Sequence, residues 1–168
     1  MSKFVSCSEL RLFEISRRLW VKCFVLGESE IFSKGSLLHK ICENDFEVTP
    51  EDKQKLDYND LQALKKIKKQ IDSLGKLSPG VLLRKEELNL KGKPDGIMNG
   101  FPVEIKFNPY KKEDETQALG YSLLYGTSGA YLVYPTEHYF LELTEEKKKK
   151  LIAEIKLILK LKKELLKR

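Results

Sequence analysis

Asp95, Glu104 and Lys106 are the residues of this chain whose types and spacing could do chemistry. They lie in the stretch 92–107, GKPDGIMNGFPVEIKF, where apolar-rich runs flank Asn99 and Gly100. Asn-Gly is the dipeptide favoured by a two-residue hairpin turn with both central residues at positive φ. With that turn Met98 pairs with Phe101, and Asp95 falls opposite Glu104. Strand alternation then gathers Asp95, Glu104 and Lys106 on one surface. Two carboxylates with Cβ atoms roughly 5 Å apart repel each other. A divalent cation between them relieves the repulsion, and so does ordinary solvation on an exposed hairpin. Hard oxygen ligands suit Mg²⁺ or Mn²⁺ better than Zn²⁺. Lys106 could stabilise charge developing on a substrate oxygen or orient a water. Pro94 and Pro102 have no N–H to give, so pairing must be interrupted there or turned away from a partner. A one-residue slip would carry Glu104 to the opposite face from Asp95.

The elements that must hold this hairpin are legible around it. Residues 7–26 read as an amphipathic helix, with Leu10, Phe13, Arg17 and Trp20 near helical spacing and Ser8 as a cap. A helix begins near Gly35 and runs to about 46. Thr49 and Pro50 start another that continues to Leu74 and stops at Gly75. Pro79 and Gly80 mark a turn, and residues 81–90 read as a strand leading into the hairpin. After a polar loop at 108–115, residues 116–125 form a helix, and 130–134 with 139–143 form a final strand pair. From Thr144 a basic amphipathic helix runs to residue 168, with a stripe of Leu151, Ile152, Ile155, Ile158, Leu159, Leu165 and Leu166. The expectation is an α/β fold: one domain over 1–168, a small mixed sheet flanked by helices, and a C-terminal helix. That last helix either covers the sheet or serves as a homo-oligomer or partner contact.

At 168 residues the chain can bury a proper core, and 41% hydrophobic with 33% charged side chains describes a soluble globular protein. No apolar run approaches the ~20 residues of a membrane span. The start, MSKFVSCSELRLFE, is broken by charges too early for a signal peptide, so a cytoplasmic protein without membrane partners is expected. Cys7, Cys23 and Cys42 lack C-x-x-C spacing and are expected to be free thiols.

Pro94-Asp95 followed by Glu104-Ile105-Lys106 resembles the core of the PD-(D/E)XK nucleases. Three more segments resemble motifs of the RecB-like branch, in the same order. Gly35 to His39 is similar to its G-x-x-x-H, Gly92 to Asp95 to its G-x-x-D, and Gln117 to Tyr121 to its Q-x-x-x-Y. The chain most resembles the CRISPR-associated RecB-like exonucleases and their viral and archaeal relatives, over roughly residues 5–143. The resemblance implies a restriction-endonuclease-like core and metal-dependent cleavage of DNA. It implies a metal site of His39, Asp95, Glu104 and the Ile105 carbonyl, with Asp95, Glu104 and Lys106 catalytic. Gln117 and Tyr121 would scaffold the site or hold the strand. Where relatives have a cysteine in the first helix this chain has Ile15-Ser16-Arg17, and nothing after Cys42 is cysteine, so no iron–sulfur cluster is expected.

Arg17, Arg18 and Lys22 on the first helix, and Lys111 and Lys112 in the loop, could meet phosphates or simply be solvated. Glu86 and Glu87 lie near the site in sequence and are expected to be exposed. The net charge of +6 is concentrated in 144–168, either a patch that strengthens phosphate binding or a solvated face. The substrate implied is single-stranded DNA or duplex ends, cut by an exonuclease. A single-strand or branched-DNA endonuclease, and a non-catalytic DNA-binding subunit of a DNA-processing or CRISPR adaptation complex, stay open.

Overall fold

The computed structural model describes residues 3–25 and 33–165. Its centre is the hairpin of β5 (Gly96–Met98) and β6 (Phe101–Ile105). Asn99 and Gly100 both take positive φ, 52° and 83°, and Met98 pairs with Phe101, the expected register. In such a hairpin the pair flanking the turn is hydrogen-bonded, so the next pair, Ile97 with Pro102, is not. Pro102 therefore has no N–H to offer where none is asked for. On its other side the ladder begins only at Val103, paired with Tyr131. Both prolines are accommodated without a register slip.

The hairpin lies in a five-stranded mixed sheet ordered β2–β5–β6–β7–β8, with β2 at Ser78–Pro79, β7 at Gly129–Val133 and β8 at His138–Glu142. Strands β6 and β7 are parallel and need a crossover, which α6 (Lys112–Tyr125) supplies. A second, three-stranded sheet joins β1 (Val5–Ser6), β4 (Leu90–Gly92) and β3 (Leu83–Lys85) in the order β1–β4–β3. Alternation on the central strands separates two cores. Ala130, Leu132 and Tyr134 join Leu10, Trp20, Leu119, Ile155 and Ile158 beneath α1 (Cys7–Ile15), α6 and α7 (Glu145–Leu165). Val103, Ile105 and Val133 join Leu38, Ile41, Leu64, Ile67 and Ile71 beneath α3 (Ser33–Glu43) and a long helix at Tyr58–Leu74. Helices thus cover both faces of a mixed sheet. Among the described residues no helix is long and apolar enough to cross a membrane.

Several expected elements are divided by side-chain caps. The first helix stops at Ser16, whose backbone is extended and whose hydroxyl accepts from the Leu19 amide, starting α2 (Arg17–Trp20) and a π-helical turn at Val21–Val25. Ser6, not Ser8, caps α1, in a reciprocal box with Glu9. The helix expected from Pro50 to Leu74 is two, α4 (Pro50–Lys55) and α5 (Tyr58–Leu74), because Asp57 and Asp60 form a second capping box. Residues 81–90 are not one strand: a 3-10 turn at Glu86–Leu88 and left-handed Asn89 fold them into the β3–β4 hairpin. Ser78 and Pro79 form a short edge strand rather than a turn, a position proline tolerates. Helix α6 starts at Lys112, a turn earlier than expected, with Glu113, Asp114 and Glu115 in its first turn, where the helix dipole favours acids.

The apolar stripe of α7 covers the sheet. Leu151, Ile155 and Ile158 are buried, Ile152, Leu159 and Leu165 pack against them half-buried, and Leu157 stays exposed; Leu166 lies outside the described residues. One of its lysines is internal too. Lys162 is 5% exposed, sits 2.6 Å from Glu9 and donates to the Phe4 carbonyl at 2.9 Å. Glu9 also accepts from the Ser6 amide at 2.8 Å and the Trp20 indole at 3.3 Å.

Candidate functional site

The ladder of β5 and β6 ends at Gly96 and Val103, one step short of Asp95 and Glu104. The next hydrogen-bonded pair would be Pro94 with Ile105, and proline cannot donate. Asp95 takes over: its Oδ2 accepts the Ile105 amide at 2.7 Å. Amide and carbonyl of one strand residue face the same side, so the Ile105 carbonyl also points to this edge, where Pro94 offers it no N–H. The pair Pro94-Asp95 thus opens the sheet and leaves a carboxylate and a carbonyl at its end.

Around that opening the expected residues converge. One groove of about 290 Å³ is lined by His39, Asp95, Glu104, Lys106, Gln117 and Tyr121, together with Ser8, Arg11, Leu12 and Lys93. Lys106 Nζ is 2.6 Å from Glu104 Oε1 and donates to Gln117 Oε1 at 2.9 Å. The Gln117 amide donates to the Tyr121 hydroxyl at 3.1 Å, the two lying one turn apart on α6. His39 comes from α3, in the opposite layer, and its Nδ1 is 2.7 Å from Asp95 Oδ1.

Tyr121 is 4% exposed and is therefore a buried support, not a surface for stacking or for reaching phosphate. Burial first, then the Glu104 charge, pushes its phenol well above the usual range and keeps it neutral. Gly92 explains itself against this ring: a Cβ there would lie 2.7 Å from Tyr121 Cε1 and 2.9 Å from Cys7 Sγ. The first glycine of the G-x-x-D stretch is thus required by the tyrosine of the Q-x-x-x-Y stretch.

Glu104 is 3% exposed, and burial, aided by the Asp95 charge, raises its pKa to about 7 against the opposing pull of Lys106 and His39. Burial works against a charged His39, but the hydrogen bond and charge of Asp95, with Glu104 behind, outweigh it and raise its pKa. His39 thus partners Asp95 with Nδ1 engaged. A role as third metal ligand would fall to Nε2 of the neutral ring. Among the described residues no three His, Cys, Asp or Glu side chains stand close enough to hold a metal ion by themselves. Two carboxylates and a strand-end carbonyl fit a hard cation that keeps part of its water shell, and one there would favour the ionised form of Glu104.

Arg17 and Arg18 are not brought here. The break at Ser16 turns them away from α1; both are exposed and Arg17 stacks over Phe13 at 5.3 Å. Lys111 and Lys112 are exposed and outside the groove lining, Lys112 lining a separate pocket with Glu14, Glu115 and residues of α7. Glu86 and Glu87 are exposed as expected, Glu86 paired with Lys3 at 3.1 Å. Sequence reasoning missed Arg11, Ser8 and Lys93. Ser8, Arg11 and Leu12 have the i, i+3, i+4 spacing of one helical face, and Lys93 is inside the G-x-x-D stretch itself. Cys7 and Cys42 are buried and Cys23 is half-buried, all as free thiols.

No protein-family model matches the chain, and no curated protein matches it either.

Proposed function

We propose that the groove is the active site of a divalent-metal-dependent deoxyribonuclease, a single domain on a restriction-endonuclease-like core, acting as an exonuclease on single-stranded DNA or DNA ends. The observation that carries this reading is the convergence of Asp95, Glu104, Lys106 and His39 at the opened end of β6. The resemblance to RecB-like nucleases supports it, because its four motifs come from separate elements and meet in one groove. Asp95, Glu104 and the Ile105 carbonyl would hold Mg²⁺ or Mn²⁺, with His39 Nε2 once deprotonated; the ion supplies Lewis acidity toward a phosphoryl oxygen and an acidified water.

The chain's own groups do the rest. Lys106 has three N–H donors, of which Glu104 and Gln117 fix two, leaving one for the phosphate or the attacking water. Holding the ammonium from two sides fixes it before substrate arrives, so little reorganisation is needed during reaction. Tyr121 fixes Gln117 in turn. Asp95 ties the strand end and the imidazole together, and only a neutral His39 could serve as a ligand, through Nε2.

The test is cleavage of end-labelled linear and circular single-stranded DNA with Mn²⁺, Mg²⁺ or EDTA. Metal-dependent loss of the linear substrate alone, absent in Asp95→Ala and Lys106→Ala, is expected. Cutting of circles would make the enzyme an endonuclease. Inert wild type that still binds DNA would replace the nuclease by a DNA-binding subunit.

A further inference from the structure

Two cations of the groove wall, Arg11 and Lys93, have no part in the proposed chemistry; Lys93 is paired with Glu43 at 2.8 Å, and Arg11 is held from behind. Arg11 shares a face of α1 with Ser8 and Leu12, and that face is a wall of the groove. Its side chain is 24% exposed, while the Asp114 side chain that binds its Nε is 2% exposed. The other Asp114 oxygen accepts the Tyr134 hydroxyl at 3.0 Å. A buried carboxylate is costly unless fully paired. Here both oxygens are occupied, one by a buried phenol and one by Arg11, so the guanidinium is held at a fixed place and angle. Binding through Nε leaves the two terminal nitrogens outside the Asp114 bond, and a planar fork of that kind matches two phosphate oxygens. The acids of the groove floor are engaged by other groups: Asp95 by His39 and the Ile105 amide, Glu104 by Lys106. Arg11 is therefore not the counter-ion of the floor.

We propose that Arg11 is a phosphate-binding residue of this groove, gripping a non-scissile phosphate of a single DNA strand laid along α1, with Asp114 and Tyr134 as its positioning support. The proposal rests on the reading of the groove as a phosphodiester site. It adds the register of the strand: one phosphate at Lys106 and another toward the α1 wall. A purely structural bridge between α1 and α6 would give Arg11 no contact with DNA, and the two roles separate experimentally.

The probe is fluorescein-labelled (dT)10 in EDTA, which suppresses metal-dependent cleavage, with binding followed by anisotropy over a salt series. Arg11→Gln is expected to weaken binding on the order of tenfold. The slope of log K against log salt should fall by about 0.7, the value of one phosphate contact on a single strand. Arg11→Lys keeps the charge and should keep the slope while losing affinity to the missing fork. Wild-type affinity and slope in Arg11→Gln would overturn the proposal. Should Arg11→Gln fail to fold, the Arg11 Nε–H resonance of wild-type protein decides: a shift on adding (dT)10 supports the contact, and an unmoved resonance under saturating DNA overturns it. Cleavage by wild type in Mn²⁺ is scored separately. Binding through Arg11 without cleavage sinks the nuclease reading alone, and cleavage with an unaffected Arg11→Gln sinks this proposal alone.

Discussion

Two of the buried charge clusters among the described residues, Glu9 with Lys162 and Glu104 with Lys106, are built on opposite principles. In the first, Glu9 and Lys162 are 2.6 Å apart, and the Ser6 amide, the Trp20 indole and the Phe4 carbonyl bond to them in turn. Charge and hydrogen bonding close on themselves, and the pair ties the last helix to the first. In the second, Lys106 is 2.6 Å from Glu104 and His39 2.7 Å from Asp95 in the lining of an open groove, and burial raises the Glu104 pKa to about 7. The first cluster is enclosed by packed side chains that no ligand reaches. The second lines a groove, where its polarised groups are open to a cation or a phosphate.

Substitutions should therefore separate stability from activity. The largest effect is expected at the open cluster: Asp95→Ala and Lys106→Ala should lower metal-dependent cleavage by roughly 10³-fold or more. Cleavage is scored per folded molecule, because Lys106→Ala leaves the buried Glu104 without its partner and Asp95→Ala leaves the Ile105 amide without its acceptor; wild-type cleavage by the folded variants would erase the distinction drawn here. Next comes the closed cluster. Lys162→Ala leaves the Glu9 carboxylate buried without its partner and should cost about 3–5 kcal/mol in urea unfolding. Cleavage per folded molecule should be unchanged, since Lys162 touches nothing in the groove.

A smaller effect separates the clusters by pH. The folded pKa of Glu104 rises from 4.5 to about 7, and that of His39 rises from its usual 6.5. Folded protein then binds more protons than the unfolded chain across this window, so both groups make stability fall as pH rises. The His39 contribution is complete below about 6.5 and is lost as pH passes its folded value; the Glu104 penalty grows from about 4.5 and is complete above about 7. Metal-free protein should accordingly melt lower at pH 8 than at pH 5.5. Glu104→Gln should melt higher than wild type at pH 8 and show a shallower decline, and an unchanged decline would remove Glu104 as its source. The smallest effect is expected at Arg17→Ala with Arg18→Ala, which should leave cleavage and DNA affinity within about twofold, as surface charges outside the groove do. A tenfold loss would show that the break at Ser16 does not turn these residues away from the strand.

Local chemistry wrote much of this fold directly into the sequence. Asn99-Gly100 set the turn and the register, because few dipeptides accept two positive φ values. Thr49-Pro50, Gly75 and Thr144 marked helix ends through caps and backbone freedom that act within one turn of the chain. The strand pair expected at 130–134 and 139–143 from its apolar and aromatic runs forms one residue earlier, at 129–133 and 138–142. Errors came where a short-range cap overrode a continuing apolar pattern. Ser16, Asp57 and Asn89 each divided an element that periodicity alone would carry through.

For the site, sequence spacing determined the trio Asp95, Glu104 and Lys106, because a hairpin converts separation along the chain into position on a face. Motif order added His39, Gln117 and Tyr121. Only the tertiary structure decided that Asp95 leaves the ladder to hold the Ile105 amide, that Arg11 and not Arg17 or Arg18 reaches the groove, and that one lysine of a basic helix belongs to the core. Each of those outcomes depends on which layers meet and how much water they exclude. Burial, unlike turn geometry or helical period, is a property of partners distant in sequence: Asp114 for Arg11, and Glu9 for Lys162.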